Sequence, residues 1–115
     1  MTTVAQARDA LVTAVGAVNP GGDPPACYVY SNGSDLTSLG KSALEWGFRV
    51  TCDVGLQGDD DNQSDALAAL VLAKLTALQA LAGWRILAVS GDQIRTIAGG
   101  DHFTADIAVS TRVNI

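Results

Sequence analysis

From His102 to Ile115 the chain alternates almost perfectly. Phe103, Ala105, Ile107, Val109, Thr111, Val113 and Ile115 fall on one side, and Thr104, Asp106, Ala108, Ser110, Arg112 and Asn114 on the other. Period two over this length predicts a strand with one buried face. A second run places Leu44, Trp46, Phe48, Val50, Cys52, Val54 and Leu56 against Glu45, Gly47, Arg49, Thr51, Asp53, Gly55 and Gln57. Its apolar side predicts core, and its other side is mixed and charged. Shorter strand-like runs cover Ala26–Ser31, Trp84–Ser90 and Gln93–Ala98, with turns expected at Gly91-Asp92 and Gly99-Gly100-Asp101. Asn32-Gly33 is a strong turn signal, and Asp35 to Lys41 reads as loop.

Two stretches change to helical spacing. Val4, Ala7, Leu11, Ala14, Val15 and Val18 form one stripe, with Gln6, Asp9 and Thr13 opposite. Thr3 followed by Gln6 fits a capping box, and the run Asn19-Pro20-Gly21-Gly22-Asp23-Pro24-Pro25 must end the helix near Val18. The second helix is expected over Ser64 to Leu81, with Ser64 as its N-cap and Gly83 ending it. Leu67, Val71, Leu75 and Leu78 form its core stripe. Leu70, Leu72 and Leu81 widen that stripe, and Ala69, Ala73, Ala77 and Ala80 fill the rear. Beyond the first turn only Lys74, Thr76 and Gln79 are polar, so cover is expected on more than one side. The pattern as a whole predicts a single α+β domain: a mostly antiparallel or mixed sheet of four to five strands with two helices packed on it.

Composition sharpens this picture. The 115 residues are 48% hydrophobic and only 17% charged, where charge near a quarter is usual, so other subunits are expected to cover some apolar surface. The net charge is −5 and the sequence shows no basic stripe of the kind that a free nucleic-acid binder normally carries, although an acidic lining would let DNA pass. No stretch is long and apolar enough to span a bilayer, and no secretory leader is expected at the N-terminus. Cys27 and Cys52 read as reduced core residues.

Candidate chemistry is sparse. Gly58 to Gln63 reads as an acidic loop in which Asp59, Asp61 and Gln63 have the one-three-five spacing of a calcium loop. Ser64 replaces the required glycine and Leu70 the required glutamate, so no metal site is expected. His102 is the only histidine and reads as a surface turn residue beside Asp101. No catalytic residue and no cofactor is expected. Trp46 and Trp84 read as core packing. Lys74 reads as snorkelling from the edge of the leucine stripe, or as pairing with a carboxylate across a subunit boundary.

The order of elements resembles the tail terminator proteins of long-tailed, non-contractile phages, particularly those of actinobacteria. The likeness runs through the amphipathic first helix, the Pro/Gly break, Ala26-Cys27-Tyr28-Val29-Tyr30 and the long run from Trp46 to Val54. It continues through the Ala/Leu-rich helix, Trp84-Arg85-Ile86-Leu87-Ala88-Val89 and the run from Phe103 to Val113. The resemblance implies a structural, non-enzymatic protein assembled in the host cytoplasm into a homo-oligomeric ring, usually a hexamer. That ring sits in the virion at the head-proximal end of the tail. It would contact the tail tube protein and the head–tail connector or stopper, with viral DNA passing through without specific binding and no membrane partner. Interface or pore candidates are Asp59, Asp60, Asp61, Leu70, Leu72, Lys74, Glu45, Arg49 and Asp53. The competing readings are another connector, stopper or tube protein, an unrelated oligomeric binding domain, and a small metal-dependent enzyme using the acidic loop with His102.

Overall fold

A computed structural model describes residues 2–38, 43–56 and 60–114. In chain order the elements are α1 (Val4–Val15), β1 (Ala26–Ser38), β2 (Ala43–Asp53), α2 (Asp60–Gln79), β3 (Trp84–Val89), β4 (Gln93–Ile97) and β5 (Gly100–Asn114). The fold is α+β, a five-stranded antiparallel sheet with both helices on one face. The strand order is β1-β2-β5-β3, and β4 also pairs with β5.

The capping box forms as the sequence predicts. Gln6 N donates to Thr3 Oγ1 at 3.1 Å, and Thr3 N donates to Gln6 Oε1 at 3.0 Å. α1 ends three residues earlier than the apolar stripe suggested, because Gly16 takes the left-handed conformation (φ 66°) and caps it. Val18 therefore leaves the stripe and stands exposed, while Ala7, Leu11 and Val15 are buried.

β1 does not turn at Asn32-Gly33. It continues to Ser38, and the register against β2 shifts between Ser31 and Gly33 and again between Ser34 and Ser38. The expected turn is thus an irregularity within a longer hairpin arm, because pairing with β2 persists past it. Of the expected loop, residues 35–38 are strand and residues 39–41 lie outside the described residues.

The turn at Gly91-Asp92 is likewise a break and not a reversal. β3 and β4 run in the same direction along one edge of β5, pairing Trp84 with Thr111 and Ile97 with Gly100. They behave as one strand interrupted at Ser90–Asp92, where Ser90 N donates to the Asp106 carbonyl at 2.8 Å. The true reversal is Ala98-Gly99, where both residues have positive φ (51° and 85°). That is the backbone a two-residue hairpin turn demands.

The core lies between helices and sheet. Leu67, Val71 and Leu78 of α2 join Ala7, Leu11 and Val15 of α1 over Cys27, Phe48, Val50, Cys52, Ile107, Val109 and Val113. The Phe48 and Trp84 rings meet at 5.5 Å between centroids. α2 starts at Asp60, so Asp61, Asn62 and Gln63 occupy its first turn and Ser64 is helical, not a cap. On the Ala-rich rear of α2, Ala69, Ala73 and Ala80 are exposed and Ala77 is half-buried, and Leu72 is exposed at 63%.

Candidate functional site

The most structured polar region is the sheet face opposite the helices. Strand register assembles it. On β2 and β5, Thr51 lies opposite Asp106 and Asp53 opposite Thr104. Tyr28 lies opposite Thr51 from β1, and Arg95 opposite His102 from β4. Tyr28, Thr51, Asp53 and Thr104 are all fully buried despite facing away from the helices. The tip of the β4–β5 hairpin meets the Pro/Gly segment here: a Cβ placed on Gly21 would fall 2.9 Å from that of Ala98.

Asp53 is the centre of one cluster. Tyr28 Oη donates to its Oδ2 at 2.6 Å, and the Gly55 amide donates to its Oδ1 at 2.8 Å. His102 Nδ1 lies 3.0 Å from Oδ1 and 2.8 Å from Oδ2. A carboxylate accepts only, so the imidazole donates from Nδ1. Burial first, and then the hydrogen bond and charge of Asp53, push the Tyr28 phenol above its ordinary range. His102 is therefore not the free surface residue its neighbour Asp101 suggested: it ties the hairpin to β2.

Asp106 is the centre of the second cluster. Arg95 grips it with both nitrogens, at 3.0 and 2.9 Å, and Thr51 Oγ1 donates at 2.7 Å. Burial raises the carboxyl, but the Arg95 hydrogen bonds, the Thr51 hydroxyl and the charges of Arg95 and Arg49 prevail and hold it below its ordinary value. Arg49 stacks on Tyr30, with its guanidinium carbon 4.4 Å from the ring centroid, and its Nε is buried without a partner. Glu45 accepts from Ser110 Oγ at 2.6 Å.

The residues singled out as interface or pore candidates therefore separate. Asp53 is fully buried and committed to Tyr28, Gly55 and His102, which removes it from any surface role. Glu45 and Arg49 are half-buried on the polar face. Leu70 packs against the core from its edge, and only Leu72 of the two leucines is freely exposed. Lys74 is half-buried and directed at the C-terminal end of α1: its Nζ lies 4.0 Å from the position a Cβ would take on Gly16. Asp59 lies outside the described residues. Asp60 opens α2, and Asp61 is exposed in its first turn. Because the segment is helical from Asp60, Asp61 and buried Gln63 stand two positions apart on a helix, which puts them on different sides. A calcium loop needs those positions converging. Among the described residues no group of three or more His, Cys, Asp or Glu is placed to hold a metal. No described helix is long and apolar enough to cross a membrane.

Both tryptophans are half-buried and pack against the core, as the sequence predicts: Trp84 meets Phe48, and Trp46 also donates from Nε1 to Ser31 Oγ at 2.8 Å. An apolar strip lies along the free edge formed by β3 and β4. Ile86, Leu87, Val89 and Ile94 are exposed there, Ile94 at 64%. A cleft of about 310 Å³ opens where α1 meets β3 and β5, lined by Thr2, Ala7, Leu81, Trp84 and Thr111.

Sequence reading placed Thr51, Asp53, Thr104 and Asp106 on the polar side of their strands but missed that they form two clusters. The available signal was the shared parity of His102, Thr104 and Asp106, which puts all three on one face. Their partners Tyr28 and Arg95 follow only from strand order and register. Comparison with protein-family models gave no match, and comparison with curated proteins gave none.

Proposed function

We propose that this chain is a structural ring protein of the tail-terminator kind. It would close the head-proximal end of a phage tail tube and join it to the head connector. The order of elements supports the reading. The observation that carries it is the free β3–β4 edge, where Ile86, Leu87, Val89 and Ile94 stand exposed beside unpaired backbone groups. The unpaired backbone of a sheet edge is a template for pairing with another chain, and large apolar side chains exposed along it mark a surface that a soluble domain normally blunts or covers. Here an adjacent subunit is the proposed cover, with exposed Leu72 on α2 as a second contact. A heterologous contact of this kind closes into a ring when its rotation permits.

Native mass measurement and negative-stain imaging of the purified protein, alone and with tail tubes, test the proposal. Rings, or a monomer that forms rings on tube ends, support it. Tubes that keep growing in the presence of the protein overturn it. Binding to the head connector without any effect on tube length moves the chain to a stopper role.

A further inference from the structure

We propose that Cys27 and Cys52 are a reversible redox pair, poised to close a disulfide across the β1–β2 hairpin. They are direct cross-strand partners. Both are free thiols facing the helix-covered core. Two backbone hydrogen bonds identify the kind of pair they form. The Cys27 carbonyl accepts from Val18 N at 2.9 Å, on the side away from β2. The amide and carbonyl of one strand residue point to the same side, so Cys27 exchanges no ladder bond with β2. On the other strand, Val54 N donates to the Phe103 carbonyl at 3.1 Å, so the even-numbered residues of β2, Cys52 among them, direct their backbone to β5. Cys27 and Cys52 are therefore a non-hydrogen-bonded pair. Such partners stand about 4.5 Å apart at Cα, with side chains closer than in the alternate pairs. That spacing falls within the roughly 4.4–6.8 Å that a disulfide spans, so the folded hairpin holds the two sulfurs within reach of each other.

The surroundings give the pair a readout. Cys27 Sγ donates to the Val15 carbonyl at 3.2 Å, at the last residue of α1. Lys74 approaches the same helix end, and its charge favours both thiolates, although burial outweighs it and holds both thiols above their ordinary range. With a peroxide as oxidant, one thiolate attacks a peroxide oxygen and releases water, leaving a sulfenic acid. The second thiolate attacks that sulfur and displaces the hydroxyl, which leaves as water. Two thiols and one hydrogen peroxide thus become one disulfide and two waters. The Cys27 S–H is consumed, so Val15 loses its donor and the C-terminal end of α1 registers the change.

The equilibrium test avoids the slow access expected of buried thiols. The protein is unfolded, refolded in glutathione buffers of graded oxidised-to-reduced ratio, quenched by alkylation and mapped by mass spectrometry. A parallel series is kept in urea. The expected result is an intramolecular Cys27–Cys52 link that forms in the folded protein at an oxidised-to-reduced ratio about tenfold lower than in urea, and that dithiothreitol reverses. Hydrogen peroxide added to native protein should remove both thiols together, with a loss of two hydrogens. Cys27→Ser should leave Cys52 without this product. Equal or weaker linkage in the folded state overturns the proposal, as does independent oxidation of the two sulfurs or linkage only between chains. None of these readouts depends on ring formation.

Discussion

Asp106 holds together groups from β2, β4 and β5, and its carboxyl titrates below the ordinary range because Arg95, Thr51 and Arg49 together outweigh its burial. A depressed folded value contributes stability that is present above the unfolded value. That contribution is lost as pH falls through the folded value. Urea midpoints should therefore decline below about pH 4, and Asp106→Asn should remove most of that decline. The same variant should cost about 1–3 kcal/mol at neutral pH, since a charge-assisted bidentate pair is lost and Arg95 is left half-buried. The alkaline limb has the opposite sign. Burial pushes the Cys52 thiol up to about 12, so its contribution is present below the unfolded value and is lost as pH rises through the folded one. Cys52→Ala should flatten the alkaline decline. Ala98 offers a stabilising test. It sits at φ 51° in the hairpin turn, a conformation that costs a non-glycine residue roughly 1–2 kcal/mol. Ala98→Gly should raise stability by about 0.5–1 kcal/mol once the greater entropy of the unfolded glycine is subtracted, read as a higher urea midpoint with an unchanged slope.

Among the elements, α2 makes the clearest division between folding and contact. Leu67 is fully buried against the sheet, whereas Leu72 on the other side of the same helix is exposed. Leu67→Asp should abolish the folded state, since a buried unpaired carboxylate costs more than the few kcal/mol a small domain holds in reserve. Leu72→Asp should change stability by no more than about 0.5 kcal/mol. Circular dichroism with urea titration separates the two. The same logic applies on the free edge. Ile94 is exposed on β4, so Ile94→Lys should leave folding intact.

At the scale of the whole molecule, the proposed ring couples these surfaces. Leu72→Asp and Ile94→Lys, each folding normally, should weaken assembly on tube ends, and combining them should abolish it. Negative-stain counts of capped tubes check this. Capping that survives the combined variant would place the subunit contacts elsewhere on the chain. The fold itself is held by β5, the strand that pairs with β2 on one side and with β3 and β4 on the other. Its end is tied to the chain start, where Asn114 N donates to the Thr2 carbonyl at 2.7 Å. Val113→Ala, at a fully buried position beside that tie, should cost about 1.5–3 kcal/mol.

Periodicity alone was enough to locate both helices, the long alternation of β2 and β5 and the apolar face of each, because burial on one side imposes a repeat that a sequence displays. The spacing of Thr3 and Gln6 likewise predicted their capping box, a contact between residues close in sequence. Where local signals competed with pairing partners, tertiary structure decided. Asn32-Gly33 became a register shift because β2 continued to offer hydrogen bonds. Gly91-Asp92 became a break within one edge because β5 paired on both sides of it. Asp60 to Gln63 became helix, and Gly16 ended α1 before the apolar stripe ran out. The two polar clusters were the least legible features. Asp53 and His102 are 49 positions apart and Thr51 and Asp106 are 55 apart. Alternation states only that each is off the apolar face. Which polar residues on that face meet depends on strand order and register, and those are properties of the folded sheet.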